Sequence, residues 1–242
     1  FVPLAASFNA MACSLKEQMR AMQRTEQLAV AGELAAGLVH EIKNPLAGIK
    51  AATQILVAEG KVSPEDRILL RRMEREVNGL DGLLRGFLEF ARPPRPRLAE
   101  VDVHALVEAV ATPHLRTAAA RLGHRVRVVT HLAPLPAAWA DPAHLKQILL
   151  NLLLNAVDAS ADGATVEVRS ALDAPAGAIQ IDVADRGPGI PPERARHVFQ
   201  PFYTTKPHGT GLGLAVSKRL AEQHGGSLGF SPNPGGGTIF HV

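Results

Sequence analysis

Apolar or small residues recur at three- and four-residue steps along Leu28, Ala31, Ala35, Val39, Ile42, Leu46, Ile49 and Leu56, with Thr53 as the polar exception. That spacing draws one stripe down an α-helix. The helical pattern runs from about Ser14 to about Ala58, on the order of 65 Å at 1.5 Å per residue. A helix of that length cannot bury such a stripe against itself. Gly60 to Pro64 predicts a turn, with Ser63 as N-cap and Pro64 at the first helical position. A second helical stripe follows in Leu69, Met73, Val77, Leu80, Leu84, Phe87 and Ala91. Two antiparallel helices supply half a core. The simplest closure pairs two such hairpins around a twofold axis into a dimeric four-helix bundle.

On the first helix the segment LVHEIKNPLAGIK, Leu38 to Lys50, sets a histidine beside an acid, with an amide one turn later. His40 lies two residues from Ile42, so a helix turns it roughly 160° away from that stripe residue and toward solvent. A neutral imidazole there is a competent nucleophile near pH 7. Glu41 could orient the ring or take its proton, and Asn44, at i+4, shares the His40 face. Pro45 removes a helix donor and predicts a local bend. A zinc-protease helix needs a second histidine at the position that Asn44 holds, so that chemistry lacks a ligand.

At 242 residues with 46% hydrophobic content, the chain can bury a sizeable core in one or two domains. Aromatics make up only 4% and the charges of both signs are scattered, which argues against nucleic acid despite the net charge of +3. Cys13 is the single cysteine, so neither an internal disulfide nor a cysteine metal cluster can form, and a reducing compartment is expected. No apolar run approaches the roughly 20 residues that span a bilayer, and no signal peptide is present. The chain opens at Phe1 without Met and closes at Val242 in a strand-like pattern, as a fragment would. The prolines of Arg92 to Arg97, RPPRPR, end the hairpin and stiffen a spacer.

After that spacer the pattern becomes mixed α/β. Val103 to about Leu122 reads as helix and Arg125 to His131 as strand. Asp141-Pro142 caps a long helix that ends near Ser160. Ala164 to Leu172 and Ala178 to Asp185 read as consecutive strands, Gly211 to His224 as helix, and Ser227 to Phe230 with Gly237 to Val242 as a closing hairpin. Helices grouped with a mixed or antiparallel sheet predict a two-layer sandwich.

Four stretches in this half carry chemistry. Asn151 and Asn155, at i and i+4 of a greasy helix, offer neutral amide oxygens suited to a Mg²⁺ shared with substrate phosphates. Asp185-Arg-Gly187-Pro-Gly189-Ile follows a strand, where an acid can accept a bond from an exocyclic amine and glycines let backbone approach a ring. Phe199-Gln-Pro-Phe202-Tyr-Thr-Thr-Lys206 joins two apolar anchors to a cation able to reach phosphates. Gly209-Thr-Gly211-Leu-Gly213-Leu runs straight into a helix, presenting N–H groups to anionic oxygens. It is neither a Walker loop nor a dinucleotide fingerprint.

In order and spacing, Asn151 to Ala159, Asp185 to Ile190, Phe199 to Lys206 and Gly209 to Leu214 resemble the N, first-glycine, F and second-glycine boxes of the GHKL ATP-binding fold. Joined to HEIKNP on a helical hairpin, they resemble a bacterial sensor histidine kinase. The HEIKNP and PFYTTK wording is similar to the NtrB-like branch. Phe1 to Lys16, with Leu4, Phe8, Met11 and Leu15 at helical spacing, resembles the last helix of a HAMP linker.

The resemblance implies that residues 17–92 form a dimerisation and phosphotransfer hairpin, that 93–98 are a linker, and that 99–242 are a catalytic ATP-binding domain. By the same resemblance His40 is the phospho-acceptor, Glu41 its base, and Asn44 the amide that helps dephosphorylate a receiver domain. Asn155, helped by Asn151, would hold Mg²⁺, and Asp185 would read the adenine amine in a pocket shaped by Gly187 and Gly189. Phe199 and Phe202 would anchor a lid, while Lys206, Gly209, Gly211 and Gly213 cradle the phosphates. The implied partners are a second copy of the chain and the receiver domain of a response regulator. The implied location is the cytoplasmic part of an inner-membrane receptor. A gyrase-type ATP clamp shares the second fold but has no use for an exposed histidine on a dimeric hairpin.

Overall fold

The computed structural model describes residues 39, 42–58, 62–91, 93–111, 126–173, 177–206 and 209–242. The expected helix over Phe1 to Lys16, the stripe before Val39, and the pair His40 and Glu41 lie outside these residues. Two compact units meet in sequence between Pro93 and Pro94.

In the first unit, helix α1 covers 42–58 and helix α2 covers Pro64–Ala91. Ser63 begins α2 as a reciprocal cap: its Oγ accepts from Asp66 N–H at 3.0 Å and donates to Asp66 Oδ2 at 2.8 Å. Glu65 and Asp66 then sit at the positive end of the helix dipole. Lys50 Nζ donates to Asn78 Oδ1 at 2.9 Å and Lys43 pairs with Asp81 at 3.9 Å, so the helices run side by side and antiparallel. Thr53, the polar member of the stripe, is only 3% exposed, and its hydroxyl donates to Lys50 O at 2.8 Å instead of being left unpaired. Val77 is buried too. Val39 and Ala91 are buried as well, but other members of the two stripes stay open, as half a core must where one hairpin offers no second wall. Ile42, Ile49 and Leu56 on α1 are 37%, 43% and 47% exposed, and Leu69, Met73 and Leu80 on α2 are 56%, 41% and 50% exposed.

The second unit opens with strand β1, Ala99–Val101, and helix α3 over 103–111, which Asp102 caps through Ala105 N–H. The helix expected as far as Leu122 is described only to residue 111, where Val103, Val107 and Val110 form its buried face. Strand β2, Arg127–Leu132, is followed by β3, Ala138–Ala140, which pairs antiparallel with β1 in a small sheet that the sequence pattern did not announce. Helix α4, Pro142–Ala159, begins at Asp141. That carboxylate accepts from Ala143 N–H, His144 N–H and, from the proline-rich spacer, Arg97 N–H at 2.7 Å.

Strands β4, Thr165–Asp173, and β5, Ala178–Ala184, lead to the short helix α5, Pro192–Ala195, then to helix α6, Gly213–Gln223, and the hairpin β6, Gly229–Pro232, with β7, Thr238–His241. The main sheet runs β2-β4-β5-β7-β6, parallel at β2-β4 and antiparallel elsewhere. Its register aligns Val168, Val183, Phe240 and Phe230 across four strands. Val166, Val168 and Ser170 of β4 are buried, whereas Arg169 between them is exposed, the alternation of a sheet covered on one face. Helix α4 packs against α6 and against β4 and β5, burying Ile148, Leu149, Leu152 and Leu153. A helical hairpin followed by a helix-on-sheet sandwich is the architecture expected above.

Candidate nucleotide-binding site

Strand β5 ends at Ala184 and delivers Asp185, 2% exposed, to the edge of the helical layer. Asp185 Oδ1 accepts from Gly187 N–H at 2.8 Å and Thr238 N–H at 3.2 Å. Its own N–H donates to Thr238 O at 2.9 Å, and its carbonyl accepts from Asn233 Nδ2 at 2.7 Å. Burial lifts the carboxyl above the usual carboxylate range, and the bonds from Gly187 and Thr238 offset only part of that lift. The carboxyl is therefore held by backbone donors in a dry place, where an amine donor would be worth more than in water.

The glycines here answer to space. A Cβ on Gly187 would stand 2.4 Å from Ala159 O at the end of α4, and one on Gly237, at φ 100°, would stand 2.1 Å from Asp185 O. Arg186 staples the two loops from outside, donating to Pro234 O at 2.9 Å and to Glu167 Oε1 at 3.3 Å. The segment from Asn233 to Thr238, at the turn of the expected closing hairpin, is thus part of the Asp185 nest. Three consecutive glycines before β7 were the available signal.

On α4 the two amides take different places. Asn151 Nδ2 donates to Gly213 O and to Ser217 Oγ, both at 3.1 Å, and so ties α4 to the first turn of α6. Asn155 Oδ1 instead accepts from Lys206 Nζ at 2.8 Å. The same ammonium pairs with Asp158 Oδ2 at 2.6 Å. A cation thus sits on Asn155 and not on Asn151, and Asp158, not singled out from sequence, completes its seat.

Between Asp185 and α6 the chain runs through α5 and the expected lid stretch. Phe199 lies 6.0 Å from the Phe230 ring, with Lys218 Nζ 5.2 Å from its centroid, so this ring packs against β6 and under a cation. Phe202 is 54% exposed, and its φ is 64°. Its backbone lies close to the glycine turn: a Cβ on Gly211, at φ 66°, would come within 2.5 Å of Phe202 C.

Gly209 is equally confined, its Cβ position 2.4 Å from Thr204 Oγ1, and Thr204 Oγ1 accepts from Lys206 N–H at 3.1 Å. Helix α6 then starts with no side-chain cap at Leu212. Leu212 N–H reaches Thr210 Oγ1 at 3.4 Å, and a helix start without a side-chain cap is where backbone N–H groups can meet an anion. On α1 Asn44 is exposed, as the helical geometry implied.

Residues 31–96 match the family model described as the His Kinase A (phospho-acceptor) domain, and residues 140–242 match the histidine kinase-, DNA gyrase B- and HSP90-like ATPase. The mycobacterial sensor histidine kinase MprB, of known structure, is 30% identical and superposes with a TM-score of 0.51 over 60% of this chain and 94% of its own. The chain belongs to the sensor histidine kinase family. Residues 140–242 are accordingly its ATP-binding domain. Full-length ShkA, solved in complex with AMPPNP, is 31% identical with a TM-score of 0.72, covering 86% of this chain and 44% of ShkA. Sensor histidine kinase ZraS of Klebsiella oxytoca is 37% identical over 94% of this chain and 48% of its own length. Sporulation kinase E of Bacillus subtilis is 32% identical over 94% of this chain and 30% of its own. The chain spans about half the length, or less, of these curated relatives.

Proposed function

We propose that this chain is the kinase core of a two-component sensor: it transfers the γ-phosphoryl group of ATP to His40 and passes it to an aspartate of a response-regulator receiver domain. The observation that carries the reading is the Asp185 nest, a buried carboxylate fixed through one oxygen, on the same unit as a glycine turn that opens helix α6 and a helix-borne amide. It supports a site for a purine amine and a site for phosphates.

In the transfer, a ring nitrogen of His40 attacks the γ-phosphorus in line. The bond to the β-γ bridging oxygen breaks, ADP leaves, and Glu41 receives the ring proton. Such chemistry is chiefly positioning and charge neutralisation. Asp185 fixes the base, with Gly187 and Gly189 shaping the space around it. Gly209, Gly211 and Gly213, with Lys206, bind phosphate oxygens, and Phe199 holds the intervening segment down. Asn155 Oδ1, already the acceptor of an ammonium, fits Mg²⁺, with Asn151 steadying the turn beyond it. When bound, Mg²⁺ neutralises phosphate charge. Among the described residues no cluster of three or more His, Cys, Asp and Glu forms a cage, which suits an ion carried largely by the nucleotide.

The exposed stripe of Ile42, Ile49, Leu69, Met73 and Leu80 supports a homodimer, because a second hairpin would supply the missing wall. Within this reading residues 17–92 are the dimerisation and phosphotransfer hairpin, 93–98 the linker and 99–242 the catalytic domain. Asn44 serves a second activity, dephosphorylation of the receiver. The wording of HEIKNP and PFYTTK supports placement in the NtrB-like branch. No helix among the described residues is long and apolar enough to cross a membrane, and we assign this part to the cytoplasmic side of a membrane receptor.

Incubating the chain with γ-labelled ATP and Mg²⁺ tests the reading. Label that is lost in acid, kept in base and absent from His40→Gln is expected. Acid-stable label, or label on His40→Gln, would overturn it.

A further inference from the structure

Lys206 is bound in a way that the nucleotide reading does not require. Its ammonium has three N–H donors, and two of them go to α4: to Asn155 Oδ1 at 2.8 Å and to Asp158 Oδ2 at 2.6 Å. Asn155 and Asp158 are i and i+3 on one helix, which puts both acceptors on one face. Lys206 comes from a segment 48 residues beyond Asp158, so the pair fastens that segment to the helix. The backbone around the lysine is held independently, by Thr204 Oγ1 accepting from Lys206 N–H and Lys206 O accepting from Gly209 N–H. The Lys206 Cβ lies 3.1 Å from where a Cβ on Gly209 would stand. The side chain can therefore turn from α4 toward the glycine turn without backbone travel.

We propose that Asp158 is a positioning residue that parks the Lys206 ammonium on Asn155 Oδ1 while the site is free of nucleotide, and that the lysine is released to the phosphates when a metal cation arrives with ATP. The proposal rests on the nucleotide reading above and adds a regulated exchange to it. Two cations cannot share one amide oxygen without strong repulsion, so metal and ammonium alternate on Asn155. The carboxylate makes the parking selective, since an amide alone would hold an ammonium no better than water does. Half-exposed as it is, the pair is easily broken, with side-chain exposures of 39% for Lys206 and 34% for Asp158. A latch that must yield to an incoming ion needs that weakness.

The test is site-resolved acylation of lysines in the full chain by a succinimidyl ester, read by mass spectrometry, with exposed Lys146 as internal reference. In the nucleotide-free chain Asp158→Asn should label at Lys206 at least threefold faster than wild type while Lys146 is unchanged. Asp158→Ala should behave alike, and Asp158→Glu should restore the wild-type rate within twofold. With a saturating non-hydrolysable ATP analogue and Mg²⁺, the rates for wild type and Asp158→Asn should converge, because Lys206 is then on phosphate in both. Equal rates in the free chains would overturn the parking role, and a difference that persists with analogue would overturn the exchange. Calorimetry on the same samples separates this from the nucleotide reading: failure of the analogue to bind sinks that reading, whereas the labelling of the free chain still judges Asp158.

Discussion

Replacing Asp185 by Asn removes one oxygen and leaves the fold's own bonds in place. Gly187 and Thr238 both donate to Oδ1, which an Asn side chain retains, and the bonds through Asp185 N–H and C=O are main-chain. At the Oδ2 position the variant presents an NH₂ group, so two donors would face each other when an adenine amine arrives. Losing a hydrogen bond to a charged acceptor costs about 1.5–3 kcal/mol, or about 10- to 150-fold in Kd at 1.4 kcal/mol per tenfold.

Stability should move the other way. Burial raises the folded carboxyl above its ordinary value of 3.8. The stabilisation from its protonated form is complete below that unfolded value and is lost as pH rises through the raised folded value. At pH 7 the buried charge is a cost that Asn lacks, so the melting temperature of Asp185→Asn should equal or exceed that of wild type. Calorimetric titration with a non-hydrolysable ATP analogue and Mg²⁺, beside a thermal melt at pH 7, checks both halves. A Kd within threefold of wild type, about 0.65 kcal/mol, would refute the assignment of Asp185 to the base, and a lower melting temperature would refute the account of its bonds.

Gly211→Ala forces a side chain into φ 66° and within 2.5 Å of Phe202 C. It should cost at least about 1–2 kcal/mol in urea unfolding and weaken analogue binding with it. Asp141→Asn removes the charge on which Arg97 N–H and the first turn of α4 converge. The carboxyl is held below its usual range, chiefly by the Arg97 N–H bond, so its stabilisation is present above pH 3.8 and fades as pH falls through the folded value. The wild type should therefore melt higher than Asp141→Asn at pH 7 and approach it in acid. Asn44→Ala, on an exposed face of α1, should keep autophosphorylation within a few-fold while slowing receiver dephosphorylation at least tenfold, about 1.4 kcal/mol in barrier. If both activities fall together, Asn44 supports the helix rather than the phosphatase reaction.

Legibility followed the range of the interactions. Asp141-Pro142 announced the start of α4 because capping is local: a side-chain acceptor and a preset φ act within three residues. Ser63-Pro64 did the same for α2. Alternation in β4 and β5 was readable because helices cover one face of the sheet. Strands β1 and β3, three residues each, are too short for a period to register, and the register partners Val101 and Ala138 lie 37 positions apart in the chain.

The site divided in the same way. Glycines and the amide pair were visible as types, but which amide would meet a cation was not. Asn151 and Asn155 share a helix face in sequence, and only the arrival of α6 at one and Lys206 at the other tells them apart. Phe202 read as an anchor because it is apolar. Its φ of 64° and the close approach of its backbone to Gly211 are features that hydropathy does not record.

The measurement nearest the central claim is the location of the transferred group. After brief reaction of the chain with ATP and Mg²⁺, digestion at neutral to alkaline pH and mass spectrometry should find one phosphoryl group on the peptide containing His40, with fragments placing it on that imidazole. The same peptide from Asp185→Asn should carry almost none. A phosphoryl group on any other residue, or equal modification of His40 in the Asp185 variant, would contradict the account.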